Sequence, residues 1–191
     1  MGHPRKLRSK YSNPRHPWQK ERIEEEKDLR KKYGFRRKNE IWKMESFLGR
    51  MKGISKKLIA SHSAQAEKEA LQLIKKAASY GLVKQNPKIE DVLAIRLDNV
   101  LERRLQTLIM KKKFAKSMMQ ARQFITHGHV MVKGKTINSP SYLVKLDEED
   151  AITFRVTSAL NSDEHPARRI ENAVSVSAAP ANVEKPQVVA N

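Results

Sequence analysis

Across Gly128 the apolar period of this sequence changes from helical to extended, and that hand-over constrains the fold more than any other feature. Ser117 followed by Gln120 is a capping-box pattern, opening a helix that runs to His127. Met118, Ala121 and Ile125 cluster on one side of its wheel, with Gln120, Gln123 and His127 opposite and Arg122 on the flank. Gly128 is the stop, because glycine takes the left-handed conformation a chain needs to leave a helix sharply. Beyond it the period is two. Val130 and Val132 alternate with Met131 and Lys133, Lys133-Gly134 turns, and Thr136-Ile137 returns. Tyr142-Leu143-Val144 and Ala151-Ile152-Thr153-Phe154 are further strand-like runs on either side of an acidic turn at residues 147–150. Helices and a small hairpin sheet must therefore share a core, which makes the chain α+β.

Upstream the signals are helical. Pro17 suits the first turn of a helix ending near Tyr33, with Gly34 as its stop. Asn39 is a candidate N-cap for a helix over residues 40–60, on which Ile41, Met44, Leu48, Met51 and Leu58 fall at helical spacing. Gly49 and Gly53 weaken it by about 1 kcal/mol each relative to alanine. A third helix over 64–80 places Ala70, Leu71, Ile74, Ala77 and Ala78 on one side and stops at Gly81. Asn86-Pro87 marks a boundary, and Asp91-Val92-Leu93 opens a helical turn. Leu97, Val100, Leu101, Leu105, Leu108 and Ile109 then predict one amphipathic helix ending at Lys111-Lys112-Lys113. Four segments result: an extended basic arm at 1–17, a helical domain at 18–88, a second domain at 89–160, and an extension and tail at 161–191. From Asn172 the chain is rich in Ala, Ser, Val and Pro without periodicity, and it is expected to be disordered.

Charge points to the partner. The 191 residues carry 39 Lys+Arg against 21 Asp+Glu, net +18, and a chain this basic expects a polyanion. The excess sits in two blocks, net +12 over residues 1–60 and net +8 over 96–135, separated by a nearly neutral stretch. A single charge run is ordinarily a solvated face; two separate blocks favour a phosphate-binding surface. The absence of cysteine excludes disulfides, thiolate zinc sites and cysteine nucleophiles. No apolar run reaches about 18 residues and no secretory h-region opens the sequence, so the chain is expected to be soluble, cytosolic and without a membrane partner.

The stretch His127-Gly128-His129 leaves several readings open. A metal site lacks a third ligand, and the helix end at Gly128 is expected to splay the two rings apart. A catalytic pair lacks a Ser or Asp in a nucleophile motif, and the sequence has no phosphate-cradling glycine loop. Two surface histidines flanking a C-cap glycine is the plain alternative. RNA binding explains more. The amide-rich and basic face of residues 118–127 suits phosphate and sugar contacts, with Arg103, Arg104, Lys113 and Lys116 adding electrostatic attraction. Trp18, Trp42 and Tyr33 read as core, with base stacking as the other possibility. Met118-Met119 reads as gap-filling core.

Several runs together carry a resemblance. Arg96-Leu97-Asp98-Asn99-Val100, Ala121-Arg122-Gln123, His127-Gly128-His129-Val130-Met131-Val132-Lys133-Gly134-Lys135 and Ser139-Pro140-Ser141-Tyr142 resemble the small RNA-binding "S-four" domain. His16-Pro17-Trp18, Ile41-Trp42-Lys43-Met44-Glu45 and Leu101-Glu102-Arg103-Arg104-Leu105-Gln106-Thr107 look like the archaeal/eukaryotic-type branch of the small-subunit ribosomal protein family of that name. The likeness extends over roughly residues 3–167. It implies an N-terminal helical domain plus a small RNA-binding domain of two packed helices and a short, mostly antiparallel sheet, with a flexible N-terminal arm and C-terminal tail.

The resemblance further implies a non-enzymatic primary binder of small-subunit ribosomal RNA, contacting its 5′ domain, nucleating assembly and supporting translational accuracy. Neighbouring small-subunit ribosomal proteins are implied partners, messenger RNA at the entrance of the subunit is a further candidate, and homo-oligomers are not expected. The implied RNA contacts are Lys116, Ser117, Arg122, Gln123, His127, His129, Lys133 and Lys135. Arg103, Arg104, Lys113 and Gln120 join them from the basic face, and Arg5, Lys6, Arg8, Lys10 and Arg15 from the arm. No metal or other cofactor is expected, and the cysteine zinc site of some bacterial relatives has no counterpart. One departure stands out: Lys133 occupies the place before the hairpin glycine where Asn or Asp is expected, and lysine is a poor former of left-handed turns. Two other readings use the same module. An RNA-modifying enzyme would need a catalytic domain larger than residues 18–88, and a stress factor acting on stalled subunits would be expected to lack that helical domain.

Overall fold

A computed structural model describes residues 9–61, 63–83, 87–162 and 165–166. Helix α1 (Lys20–Tyr33) ends at Gly34, whose φ of 61° is the left-handed cap the sequence asks for, and its N–H donates to the carbonyl of Arg30. It begins after Pro17 rather than on it, with Gln19 as N-cap. Helix α2 (Lys38–Ala60) runs unbroken through Gly49 and Gly53 and buries Ile41, Met44, Leu48, Met51 and Ser55. Its N-cap is Arg37, not Asn39. Asn39 lies inside the first turn and donates its amide to the Tyr11 hydroxyl at 2.9 Å. Residues at the end of the arm rest on this helix: Tyr11 packs beside Trp42, and the Ser12 N–H donates to Ser46 Oγ at 3.1 Å.

Helix α3 (Ala64–Ser79) is capped by Ser63, whose hydroxyl accepts from the Ala66 N–H. The face it buries is Ala66, Leu73 and Ala77, while Leu71 is 58% exposed, so the expected face is displaced around the helix. Asn86 lies outside the described residues. Helices α4 (Asp91–Ala94) and α5 (Leu97–Glu102) follow. Val92, Ile95, Val100 and Leu101 pack with Tyr33, Phe35, Ile41, Met44, Leu48, Met51, Leu73 and Ala77 in one hydrophobic cluster. That first core therefore draws on chain well past residue 88.

The single helix expected over 97–109 is two. Helix α6 (Leu105–Lys111) is separated from α5 at Arg103 and Arg104, because the backbone there pairs with residues 142–144 instead of continuing the turn. The Leu105 N–H donates to the Tyr142 carbonyl at 2.8 Å, and the Val144 N–H to the Arg103 carbonyl at 3.0 Å. Residues 142–144 thus form an isolated bridge, not a strand of the sheet. Helix α7 (Met118–Thr126) packs on α6 and hands over at Gly128 to β1 (Val130–Val132). β1 is the centre of a three-stranded antiparallel sheet, with β2 (Lys135–Thr136) on one side and β3 (Ile152–Phe154) on the other. The acidic run between them folds as a short helix, α8 (Leu146–Glu149). Leu105, Leu108, Ile109, Ala121, Phe124, Ile125, Val130, Val132, Val144, Ile152 and Phe154 make the second core. Trp18 and Met119, read as core from the sequence, are 90% and 59% exposed; Met118 is partly buried against the first core.

Gly34 also joins the two halves. A β-carbon there would lie 2.8 Å from the Met118 Cβ and 3.0 Å from Gln106 Nε2. The buried Gln106 amide donates to the carbonyls of Gly34 at 3.4 Å and Met118 at 2.7 Å, so the α1–α2 turn and the start of α7 share one side chain. Gly34→Ala should therefore cost about 1–3 kcal/mol from left-handed strain and overlap. Urea denaturation would measure it, and an unchanged midpoint would mean that the two halves do not meet closely here.

Candidate nucleic-acid interface

The basic residues divide into those tied to carboxylates and those left facing solvent. Glu40, in the first turn of α2, is the main tie. Arg122 on α7 donates to both of its oxygens, at 2.7 and 3.1 Å, and Arg104 donates to one of them at 3.0 Å. The Arg104 guanidinium is wholly buried and lies 4.4 Å from the centre of the Phe35 ring. Burial alone would raise the Glu40 carboxyl; hydrogen bonds and charge from Arg122 and Arg104 hold it below its ordinary value. Burial pushes Arg104 downward, opposed by Glu40.

These contacts correct part of the sequence-based reading. Arg104 has no exposed surface from which to attract RNA; it is the cation of a buried ion pair joining α2 to the start of α6. Arg103 is drawn to α8, donating to Glu149 at 2.7 Å, so its charge is already matched by an acid. Arg122 is half-buried and both its terminal nitrogens are engaged with Glu40, so its removal loosens the fold in addition to any effect on RNA. Lys111 pairs with Glu102 at 3.1 Å, and Lys112 with Asp150 at 3.5 Å.

A different group surrounds the start of α7 and the hairpin. Ser117 caps α7, its hydroxyl accepting from the Gln120 N–H at 3.2 Å. The other arm of the cap is shifted by one residue: Gln120 Oε1 accepts from the Lys116 N–H at 2.6 Å. Lys116, Gln123 and His127 are exposed, as are Lys133 and Lys135 on the turn. Lys113 is exposed too, with a left-handed φ of 58°. Among the described residues, no carboxylate pairs with Lys113, Lys116, Lys133 or Lys135.

Lys133 (φ 48°) and Gly134 (φ 75°) are both left-handed, the geometry of a two-residue hairpin of type I′. The lysine adopts a turn conformation for which it is a poor former. At the other end of β1 the Gly128 φ of 73° turns the chain, and the His129 N–H returns to the Phe124 carbonyl at 3.0 Å.

The two histidine rings do not diverge as expected. They lie 6.2 Å apart and 24° from parallel, with His129 edge-on to Phe124 and its Nδ1 2.9 Å from Ser158 Oγ. His129 is thus held by its neighbours, while His127 stacks outside it. Among the described residues no three His, Cys, Asp or Glu side chains gather as a metal-ligand set, and no helix is long and apolar enough to cross a membrane. Of the arm residues, Lys10 and Arg15 are exposed, while Arg5, Lys6 and Arg8 lie outside the described residues. Sequence reasoning overlooked Glu40. An acid in the first turn of a helix already has a reason to be there in the helix dipole, so nothing local marks it as the counter-ion of distant arginines.

Comparison with known proteins agrees with this architecture. The family model for the S4 domain matches residues 103–150, from the α5–α6 break to the end of α8. Small ribosomal subunit protein uS4 of Methanococcus aeolicus is 51% identical over 169 residues, covering 88% of this chain and 96% of that protein. The proteins of the same name from Methanococcus maripaludis strain C7 and Methanococcus vannielii are 47% and 44% identical over the same length, each covering 88% of this chain and 95% of the relative. With about half of the residues shared along nearly the whole length of such relatives, the chain belongs to the uS4 family of small ribosomal subunit proteins.

Proposed function

We propose that this protein is a structural, non-catalytic constituent of the small ribosomal subunit that binds the 5′ domain of its ribosomal RNA and helps nucleate assembly. The observation that carries the reading is the set of exposed lysines without carboxylate partners around α7 and the β1–β2 turn, set on a rigid helix pair. Lysines held this way displace counterions from folded RNA, and the rigid scaffold fixes which phosphates they reach. Gln123, His127 and the hydroxyl of Ser117 add hydrogen-bonding groups beside them. In the assembled subunit we place the protein near the messenger-RNA entrance, among neighbouring small-subunit proteins and without a second copy of itself.

Binding of the purified protein to the 5′ domain, against an unrelated folded RNA and across a salt series, tests this. Tight, selective binding that survives moderate salt is expected. Equal affinity for both RNAs, lost steeply as salt rises, would leave only non-specific attraction to polyanions and end the proposal.

A further inference from the structure

Among the described residues Trp18 is the most exposed of the large hydrophobic side chains. Its indole is 90% exposed and contributes almost nothing to either core. Yet the backbone that carries it is held. Arg22 on α1 donates through Nη2 to the carbonyls of His16 and Pro17, at 3.1 and 2.9 Å, and its other terminal nitrogen is fixed on the buried carboxylate of Glu26. That carboxylate also accepts from the Trp42 indole at 2.9 Å and pairs with Lys38 at 3.1 Å. A network anchored on the buried carboxylate of Glu26 thus holds a two-residue segment, and the ring after it stands in water.

We infer that Trp18 is a stacking platform for an unpaired base of the ribosomal RNA; the inference rests on the RNA reading given above. Charge selects this occupant. The first twenty residues hold six Lys or Arg and no Asp or Glu, so a polyanion is drawn to the arm. The sequence neighbours Arg15, His16, Gln19 and Lys20 are all exposed and polar. A protein partner that anchored on a tryptophan would be expected to find a dry apolar surround, which these neighbours do not supply. Bases splayed from RNA loops and bulges stack on aromatic rings whatever their identity, because every base offers a π-face. Holding the backbone beside the ring before binding lowers the ordering cost on association.

Affinity of the full-length chain for the 5′-domain RNA should fall roughly 5- to 150-fold in Trp18→Ala, the range for loss of one stacked base. Trp18→Phe should retain most of it, and the thermal midpoint of both free proteins should match the parent, since the ring packs on nothing. In a Trp42→Phe background, emission from Trp18 should be that of a water-exposed indole and should be quenched as RNA is added. The affinity comparison does not depend on that background, so it stands if the loss of the Glu26 contact weakens the fold. RNA binding that is normal in Trp18→Ala, with unquenched emission, would overturn the stacking role and leave the RNA reading intact. Normal RNA binding with defective incorporation into assembling subunits would assign the indole to a protein instead, which also overturns it. Failure of the parent protein to bind the RNA would overturn both.

Discussion

Glu40→Ala should lower unfolding free energy by about 3–5 kcal/mol, the usual cost of leaving a buried charge without its partner. The cause lies in Arg104. Its side chain has no exposed surface, two of its nitrogens, Nε and Nη1, already lack partners, and Glu40 is the carboxylate that compensates its charge. Arg122 would suffer less, because it retains about a fifth of its exposure and can turn to water. Replacing the pair together with apolar residues of similar volume should recover much of the loss, since a dry packed contact substitutes well for a buried ion pair. Urea denaturation of Glu40→Ala and of Glu40→Leu with Arg104→Met checks both halves of the claim. If the single variant costs less than about 1 kcal/mol, Arg104 is not buried as described.

The same pair gives a pH dependence with a defined sign. The folded-state carboxyl of Glu40 sits below the ordinary 4.5, so the unfolded chain binds the proton more readily. Its stabilising contribution is complete above the unfolded value and is lost as pH falls through the folded one. Glu26 behaves alike: burial would raise it, but Trp42, Lys38 and Arg22 hold it low. Stability should therefore decline on acidification below about pH 5, with a shallower decline in Glu40→Gln and some slope left from Glu26.

The largest expected effect on binding belongs to the lysines without partners. Replacing Lys116, Lys133 and Lys135 together by Gln should weaken 5′-domain binding roughly 100- to 2,000-fold, taking about 1–1.5 kcal/mol per charge-assisted phosphate contact. The slope of log affinity against log salt should fall by about 2–3, because each lost phosphate contact removes nearly one released counterion. Stability should stay within about 0.5 kcal/mol, as these side chains are exposed and engage no carboxylate. An unchanged salt slope would place the RNA elsewhere on the protein. His127→Ala, by contrast, should cost only a few-fold, and Arg122→Ala should weaken binding and stability together.

Most local signals in the sequence translated into structure, Asn39 as a cap and Pro17 as a helix start being the exceptions, and long-range ones did not. The stop at Gly34, the cap at Ser117, the turn at Gly128 and the hairpin at Gly134 are each decided by a few adjacent residues, and all four stand where expected. The buried face of α7 was legible because Ala121 and Ile125 leave little choice. On α3, alanines lie on several sides, so the core face is set by what α2 presents, and Leu71 ends in solvent. The break between α5 and α6 comes from residues 142–144 claiming the backbone at 103–105, which no periodicity within the helix could announce. The candidate site divides the same way. Its exposed lysines could be read from charge, but Arg103 and Arg104 look equally available until the acids that meet them are known.

The tie at Glu40 also sets an order of events during synthesis. Its two arginines follow it by 64 and 82 residues. At roughly 5–20 residues per second, a growing chain carries an unmatched acid in α2 for several seconds before Arg104 and then Arg122 are made. The start of α2 therefore gains its counter-ions only from chain made after the amino-terminal helices. A chain ending before Arg104 would carry Glu40 with neither arginine, and one ending before α7 would have Arg104 but lack Arg122. The newborn protein is complete as a scaffold only once the second half has been delivered.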